Sequence, residues 1–149
     1  MSVRNSAKAI VLHAGKILVN RCVSRFGDYY ALPGGGQRDN ETLMEAVRRE
    51  LLEETGHSVI PVRLSGIYER LCENRDDGVC HKIYFVFLCK LADDTRSQPT
   101  EQDRFQVGME WVDAEELKHK NLFPRAIRDN LDALIGFGET IFLGSERER

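Results

Sequence analysis

The sequence predicts a layered α/β or α+β domain, and three observations carry that prediction. Two apolar, β-branched-rich runs, AKAIVL at 7–12 and KILVNRCV at 16–23, flank a turn at His13-Ala14-Gly15. A nearly continuous apolar run, VCHKIYFVFLCKL at 79–91, has the composition of a strand covered on both faces. Between them lies a helical segment at 42–55 with signals at both ends. Strands interleaved with helices imply layers packed around one sheet.

In order along the chain, the first two runs form an opening β-hairpin. Residues 24–28 are polar apart from Phe26 and read as a loop. A short apolar piece at 29–32 is stopped by Pro33 and by Gly34, Gly35 and Gly36, which read as a glycine-rich turn. In the helix over 42–55, Thr42 and Glu45 have capping-box spacing and Gly56 supplies the stop; Asn40 is an alternative N-cap.

Residues 59–72 read as extended, 73–78 as a polar turn, and 79–91 as the central strand. A polar loop over 92–104 leads to a strand at 107–112. Asp113 is placed to N-cap a short helix through Lys118, with Glu116 at the box position. Pro124 suits the first turn of a last helix reaching Leu134, striped by Leu122, Ala126, Ile127, Leu131 and Leu134. The tail holds one apolar cluster at 137–143 and ends in SERER, which reads as frayed.

The chain's 149 residues, 42% apolar and 30% charged, suit one globular domain over 1–149 with a real core. No repeat, linker or low-complexity segment interrupts it. A net charge of −3 argues against a nucleic-acid polymer as partner, since such binders usually carry a basic patch. A small phosphate ligand needs only local positive charge or a metal. No run approaches the ~18 apolar residues of a membrane span, and no signal-peptide core is seen, so a cytoplasmic protein without a membrane partner is expected. Cys22, Cys72, Cys80 and Cys89 form no C-x-x-C pair, which disfavours structural zinc. Cys72 and Cys80 are spaced to face each other across a hairpin, and all four cysteines read as reduced.

The helix over 42–55 is not an ordinary surface helix. On a wheel at about 100° per residue with Leu43 at zero, Val47, Leu51 and Met44 define the core-facing arc between roughly 40° and 100°. Glu54 falls at about 20°, between Leu43 and Val47 on the apolar side, while Glu50 and Glu53 lie at about 340° and 280°. A solvated acidic face explains Glu45 but not Glu54, because a half-buried carboxylate costs desolvation energy. Arg49, at helical spacing from Glu53 and Glu45, offsets part of the repulsion. A divalent cation held by oxygen ligands would offset more, and magnesium or manganese suits such ligands. The three glycines let backbone carbonyls and amides approach a ligand.

Together, the glycine turn and the helix resemble the Nudix box of MutT-like hydrolases, G-x5-E-x7-R-E-U-x-E-E-x-G-U, where U is a bulky apolar residue. Gly35, Glu41, Arg49, Glu50, Leu51, Glu53, Glu54 and Gly56 occupy its fixed positions, and His57 alone departs from it, in the last apolar slot. The likeness extends over roughly residues 5–135 through the opening hairpin, LPGGG, EWVDAEEL and the Leu-Phe-Pro before the last helix.

This resemblance implies an α/β/α sandwich around a mixed central sheet. It also implies an enzyme, a pyrophosphohydrolase acting on acid anhydrides. The metal ligands it implies are Glu50, Glu53 and Glu54, joined by a backbone carbonyl of Gly34 or Gly35. Arg49 would orient a glutamate, Glu41 would support the loop, and Glu50 would act as general base. A further acidic ligand is assigned to Glu101, with Asp103 behind it and Asp93 and Asp94 as alternatives. The expected cofactor is Mg2+, with Mn2+ as substitute. The expected substrate is a small phosphoanhydride, a nucleoside diphosphate linked to another moiety such as a nucleotide, dinucleotide or nucleotide-sugar. Arg25, Phe26, Arg70, His81 and Tyr84 are candidates to touch it. A homodimer is left open, and the alternative function is a non-catalytic nucleotide-binding or sensing module.

Overall fold

A computed structural model describes residues 3–74, 78–96 and 106–148. Strands β1 (Arg4–His13), β2 (Lys16–Ser24), β3 (Gly27–Ala31) and β4 (Gly34–Gly36) precede helix α1 (Leu43–Thr55). Two long strands follow, β5 (His57–Asn74) and β6 (Gly78–Arg96), and then β7 (Gln106–Asp113). Helix α2 (Ala114–Leu117), β8 (Leu122–Phe123), helices α3 (Arg125–Asp129) and α4 (Leu131–Ile135), and β9 (Ile141–Glu148) complete the order.

The strands run β8-β3-β2-β1-β6-β5-β9 across a mixed sheet, with β4 also on β1 and β7 also on β2. β1 and β6 are parallel, whereas β5 and β6 are antiparallel. The apolar run at 79–91 therefore lies at the centre, as its composition predicts. Alternation along the strands sends Ile10, Val19, Val86 and Leu88 to one face and Ala9, Val11, Leu18 and Phe87 to the other. Ala46, Val47 and Leu51 of α1 seal the second face, and Leu117, Ile127, Leu131 and Leu134 of α2–α4 seal the first. This is the expected α/β/α sandwich.

The cap signals of α1 hold. The Thr42 side chain accepts from Glu45 N, Glu45 Oε1 accepts from Thr42 N, and Gly56 closes the helix at φ 77. Asn40, the alternative cap, instead takes a left-handed turn conformation at φ 62. Met44 departs from the wheel and is 48% exposed, because α1 packs its apolar side on the sheet through Leu43, Ala46, Val47 and Leu51.

Four other readings are corrected. Gly34, Gly35 and Gly36 are not a free turn but strand β4, paired with Lys8, Ala7 and Ser6. The loop after β2 shrinks to Arg25 and Phe26 between β2 and β3. The last helix breaks at Asn130, whose Nδ2 donates to Ala126 O at 2.7 Å and competes with the helical backbone for that carbonyl. The tail is not frayed over its described residues: β9 pairs in parallel with β5 while Ile141 and Leu143 pack on the core. No helix among the described residues is long and apolar enough to cross a membrane.

Candidate active site

The site forms where β1 parts from β2 and takes β4 as its neighbour. Gly34 sits at φ 138, and a Cβ there would lie 2.1 Å from Ala7 O, so only glycine lets β4 lie so close to β1. A Cβ on Gly35 would lie 2.6 Å from the Glu50 carboxylate. The β4 backbone thus forms a cradle directly against the first glutamate of α1.

Glu54 points inward from α1 and is 8% exposed. Asn20 Nδ2 donates to its Oε1, and Gly34 N donates to Oε2 at 3.4 Å. Among the described residues no cation forms an ion pair with it. Burial pushes its carboxyl up to about 7, against the opposing effects of the nearby Lys8 ammonium, Asn20 and Gly34 N–H. Asn20 is fixed in turn by Gln106 Nε2, which donates to Asn20 Oδ1 at 3.1 Å. The other Gln106 amide atom, Oε1, is buried and has no partner among the described residues.

Arg49 organises the remaining carboxylates. It donates through Nε and Nη2 to both Glu41 oxygens, at 2.6 and 3.0 Å, and through Nη2 to Gly36 O at 2.9 Å. Its Nη1 donates to Glu50 Oε1 at 2.9 Å and Glu53 Oε2 at 3.1 Å. These hydrogen bonds hold the Glu41 carboxyl down at about 2, while Glu41 chiefly raises the Arg49 guanidinium above its usual range. Arg38 adds a longer contact to Glu53 at 3.7 Å. Arg49 does not reach Glu45, which is engaged in the cap of α1.

Glu41, Arg49, Glu50, Glu53, Gly34, Gly35 and Glu54 are therefore gathered in one region, but not as a closed ligand set. Glu50 and Glu53 face Arg49, and Glu54 faces Asn20. Among the described residues, no three His, Cys, Asp or Glu side chains stand together closely enough to hold a metal ion. Glu101 and Asp103 lie outside the described residues; Asp93 is exposed on β6.

Lys8 borders the site on its other side. Its Nζ donates to Gly34 O at 3.4 Å and lies 5.6 Å from the Tyr84 ring centre. Lys8, Leu32, Tyr84, Phe123 and Ile127 line a small cleft there. Of the residues singled out as substrate contacts, Tyr84 lines this cleft and Arg70 stacks 4.9 Å from Phe123 at its edge. His81 is instead paired with Glu69 at 2.6 Å, and Phe26 is 85% exposed beneath Arg25.

Lys8, Asn20 and Gln106 were missed in the sequence. Asn20 had a legible signal, a neutral polar residue inside an apolar strand run. Lys8 and Gln106 had none, since only the tertiary fold brings them to the site.

A family model described as the NUDIX domain matches residues 3–131. The chain belongs to the Nudix family. Phosphatase NudJ from Shigella boydii is 34% identical over 116 residues, which cover 76% of this chain and 72% of the relative. A NUDIX hydrolase from Nitrosomonas europaea superposes with TM-score 0.70 at 22% identity, covering 89% of this chain and 88% of that one. The MutT protein from Methanosarcina mazei Go1 superposes with TM-score 0.66 at 25% identity, covering 89% and 92%. The expectation of a Nudix hydrolase, an enzyme of the pyrophosphohydrolase class, holds at the level of family. Nudix hydrolases generally use divalent metals and act on small molecules.

Proposed function

We propose that this Nudix hydrolase cleaves a phosphoanhydride bond in a nucleoside diphosphate linked to another moiety, with Mg2+ as cofactor and Mn2+ as substitute. The observation that carries this reading is the Glu54 carboxylate, buried beside the glycine cradle with only neutral hydrogen-bond donors for partners among the described residues. A buried carboxylate is stabilised by a cation, and carboxylate and carbonyl oxygens suit a hard divalent ion. The donor types therefore fit the cofactor. Glu50, Glu53 and Glu54 would hold it with the carbonyl of Gly34 or Gly35, and Glu101 would add a ligand from the late loop.

When bound, such an ion polarises phosphoryl oxygens and acidifies a water. Glu50, facing the cradle, is the residue to take the proton of the attacking water. Arg49 holds Glu50 and Glu53 in place, and Glu41 locks Arg49 against Gly36. Lys8 places positive charge between the cradle and the Tyr84 cleft, where it can meet a phosphate while the cleft takes an attached moiety. That the NudJ relative is a phosphatase by name supports phosphorus chemistry. The chain acts as one domain in this reading, in the cytoplasm, on a small molecule rather than on a nucleic-acid polymer or membrane.

Metal titration tests the ligand assignment. The wild type gains thermal stability with Mg2+ or Mn2+, and Glu53→Gln and Glu54→Gln gain less. A chain whose melting temperature ignores both ions, or variants that gain as much as wild type, would contradict the assignment.

A further inference from the structure

The hairpin of β5 and β6 brings two cysteines together away from the carboxylate site. Its ladder runs from Gly66–Val86 to Asn74–Gly78 without a register shift, and within it Cys72 is paired directly with Cys80. Cα atoms of directly opposed antiparallel residues lie about 4.5 or 5.5 Å apart, depending on the hydrogen-bonding type of the pair. Both spacings fall within the roughly 4.4–6.8 Å span that a disulfide bridges. No disulfide joins them in the structure.

A further observation sets this pair apart. Cys72 and Cys80 are partly exposed, whereas Cys22 and Cys89 are buried, and burial pushes the Cys89 thiol up to about 12. A small oxidant can therefore reach the hairpin pair and not the core pair. The preceding pair on the same sheet face is Arg70 opposite Lys82, with Arg4 paired to Lys82 from β1. From β9, Glu146 is paired with Arg70, so the positions beside the cysteine pair carry charges of both signs.

We propose that Cys72 and Cys80 form a reversible intrachain disulfide, a redox modification site, with hydrogen peroxide as oxidant. One sulfur attacks a peroxide oxygen and becomes a sulfenic acid as the first water leaves. The second sulfur then displaces the hydroxyl, forming the S–S bond and releasing a second water. Two thiols give up two electrons, and the peroxide is reduced to two waters. A dithiol reductant reverses the step. The bond ties the strands two residues beyond Arg70, whose guanidinium stacks on Phe123 at the edge of the Tyr84 cleft.

The test is peptide mapping by mass spectrometry of the full chain after limited hydrogen peroxide, with and without dithiothreitol. The expected result is a linked peptide containing Cys72 and Cys80, about 2 Da lighter than the dithiol pair and restored by dithiothreitol. A Cys22→Ser/Cys89→Ser double variant gives the same link. Separate sulfenic or alkylated products at Cys72 and Cys80 in the wild type, or links found only between two chains, would overturn the proposal. This readout does not depend on hydrolase activity, so it stands apart from the assignment of the metal site.

Discussion

Asn20 and Glu54 are joined across 34 positions of sequence by a buried hydrogen bond from the amide to the carboxylate. The bond ties strand β2 to the last turn of α1 and aims Glu54 at the glycine cradle. Asn20→Ala should remove one of the two donors that a buried carboxylate has among the described residues. The expected cost is about 1–3 kcal/mol of unfolding free energy, measured by denaturant titration. An unchanged midpoint would mean that the amide does not support Glu54.

Gly34 and Gly35 should respond differently to the same change. Gly34→Ala forces a Cβ to 2.1 Å from the Ala7 carbonyl at a left-handed φ, and neither backbone can yield cheaply. A loss above about 3 kcal/mol, in the range of severe single-site effects, is expected in thermal or chemical unfolding. At Gly35 the obstacle is the movable end of Glu50. Gly35→Ala should therefore leave stability within about 1 kcal/mol of wild type while lowering activity, because it displaces the carboxylate assigned as base.

Arg49→Lys tests whether a charge alone is enough. A lysine ammonium cannot hold both Glu41 oxygens, the Gly36 carbonyl, Glu50 and Glu53 in one planar fork. Activity should fall about 10–100-fold, the usual cost of losing a residue that orients metal ligands. Full activity in the lysine variant would reduce Arg49 to a surface charge.

Acid stability should depend on Glu41. Its ordinary value is 4.5, and hydrogen bonds from Arg49 depress it to about 2 in the folded chain. A depressed carboxyl stabilises the fold fully above its unfolded value, and that contribution is lost as pH falls through the folded value. Glu41→Gln should therefore melt below wild type near pH 7, and the two curves should converge between pH 4.5 and about 2. Melting temperature against pH measures this, and a gap that persists at pH 2 would assign Glu41's role to packing.

Much of this architecture is legible because it is written in local chemistry. Thr42, Glu45 and Gly56 mark α1, and the run at 79–91 marks the central strand, since capping and burial depend on neighbours in sequence. Helical periodicity alone turns Glu54 inward. The misreadings fall where partners are distant. Three consecutive glycines carry no strand signal, yet β1 recruits them as β4. The terminal SERER reads as frayed, yet Ser145 to Glu148 pair with the edge of β5. The grip of Arg49 on Glu50 and Glu53 together, rather than on one of them, emerges only once Gly36 and Glu41 fold back over α1.

Turnover decides the central claim. Phosphate release, coupled where needed to a phosphatase, is followed over nucleoside diphosphate derivatives with and without Mg2+, for wild type and Glu53→Gln. The account predicts Mg2+-dependent turnover by the wild type on at least one such substrate. It predicts a loss of tenfold or more in Glu53→Gln, about 1.4 kcal/mol of transition-state stabilisation. Turnover on none of these substrates, or equal turnover by the variant, would contradict it.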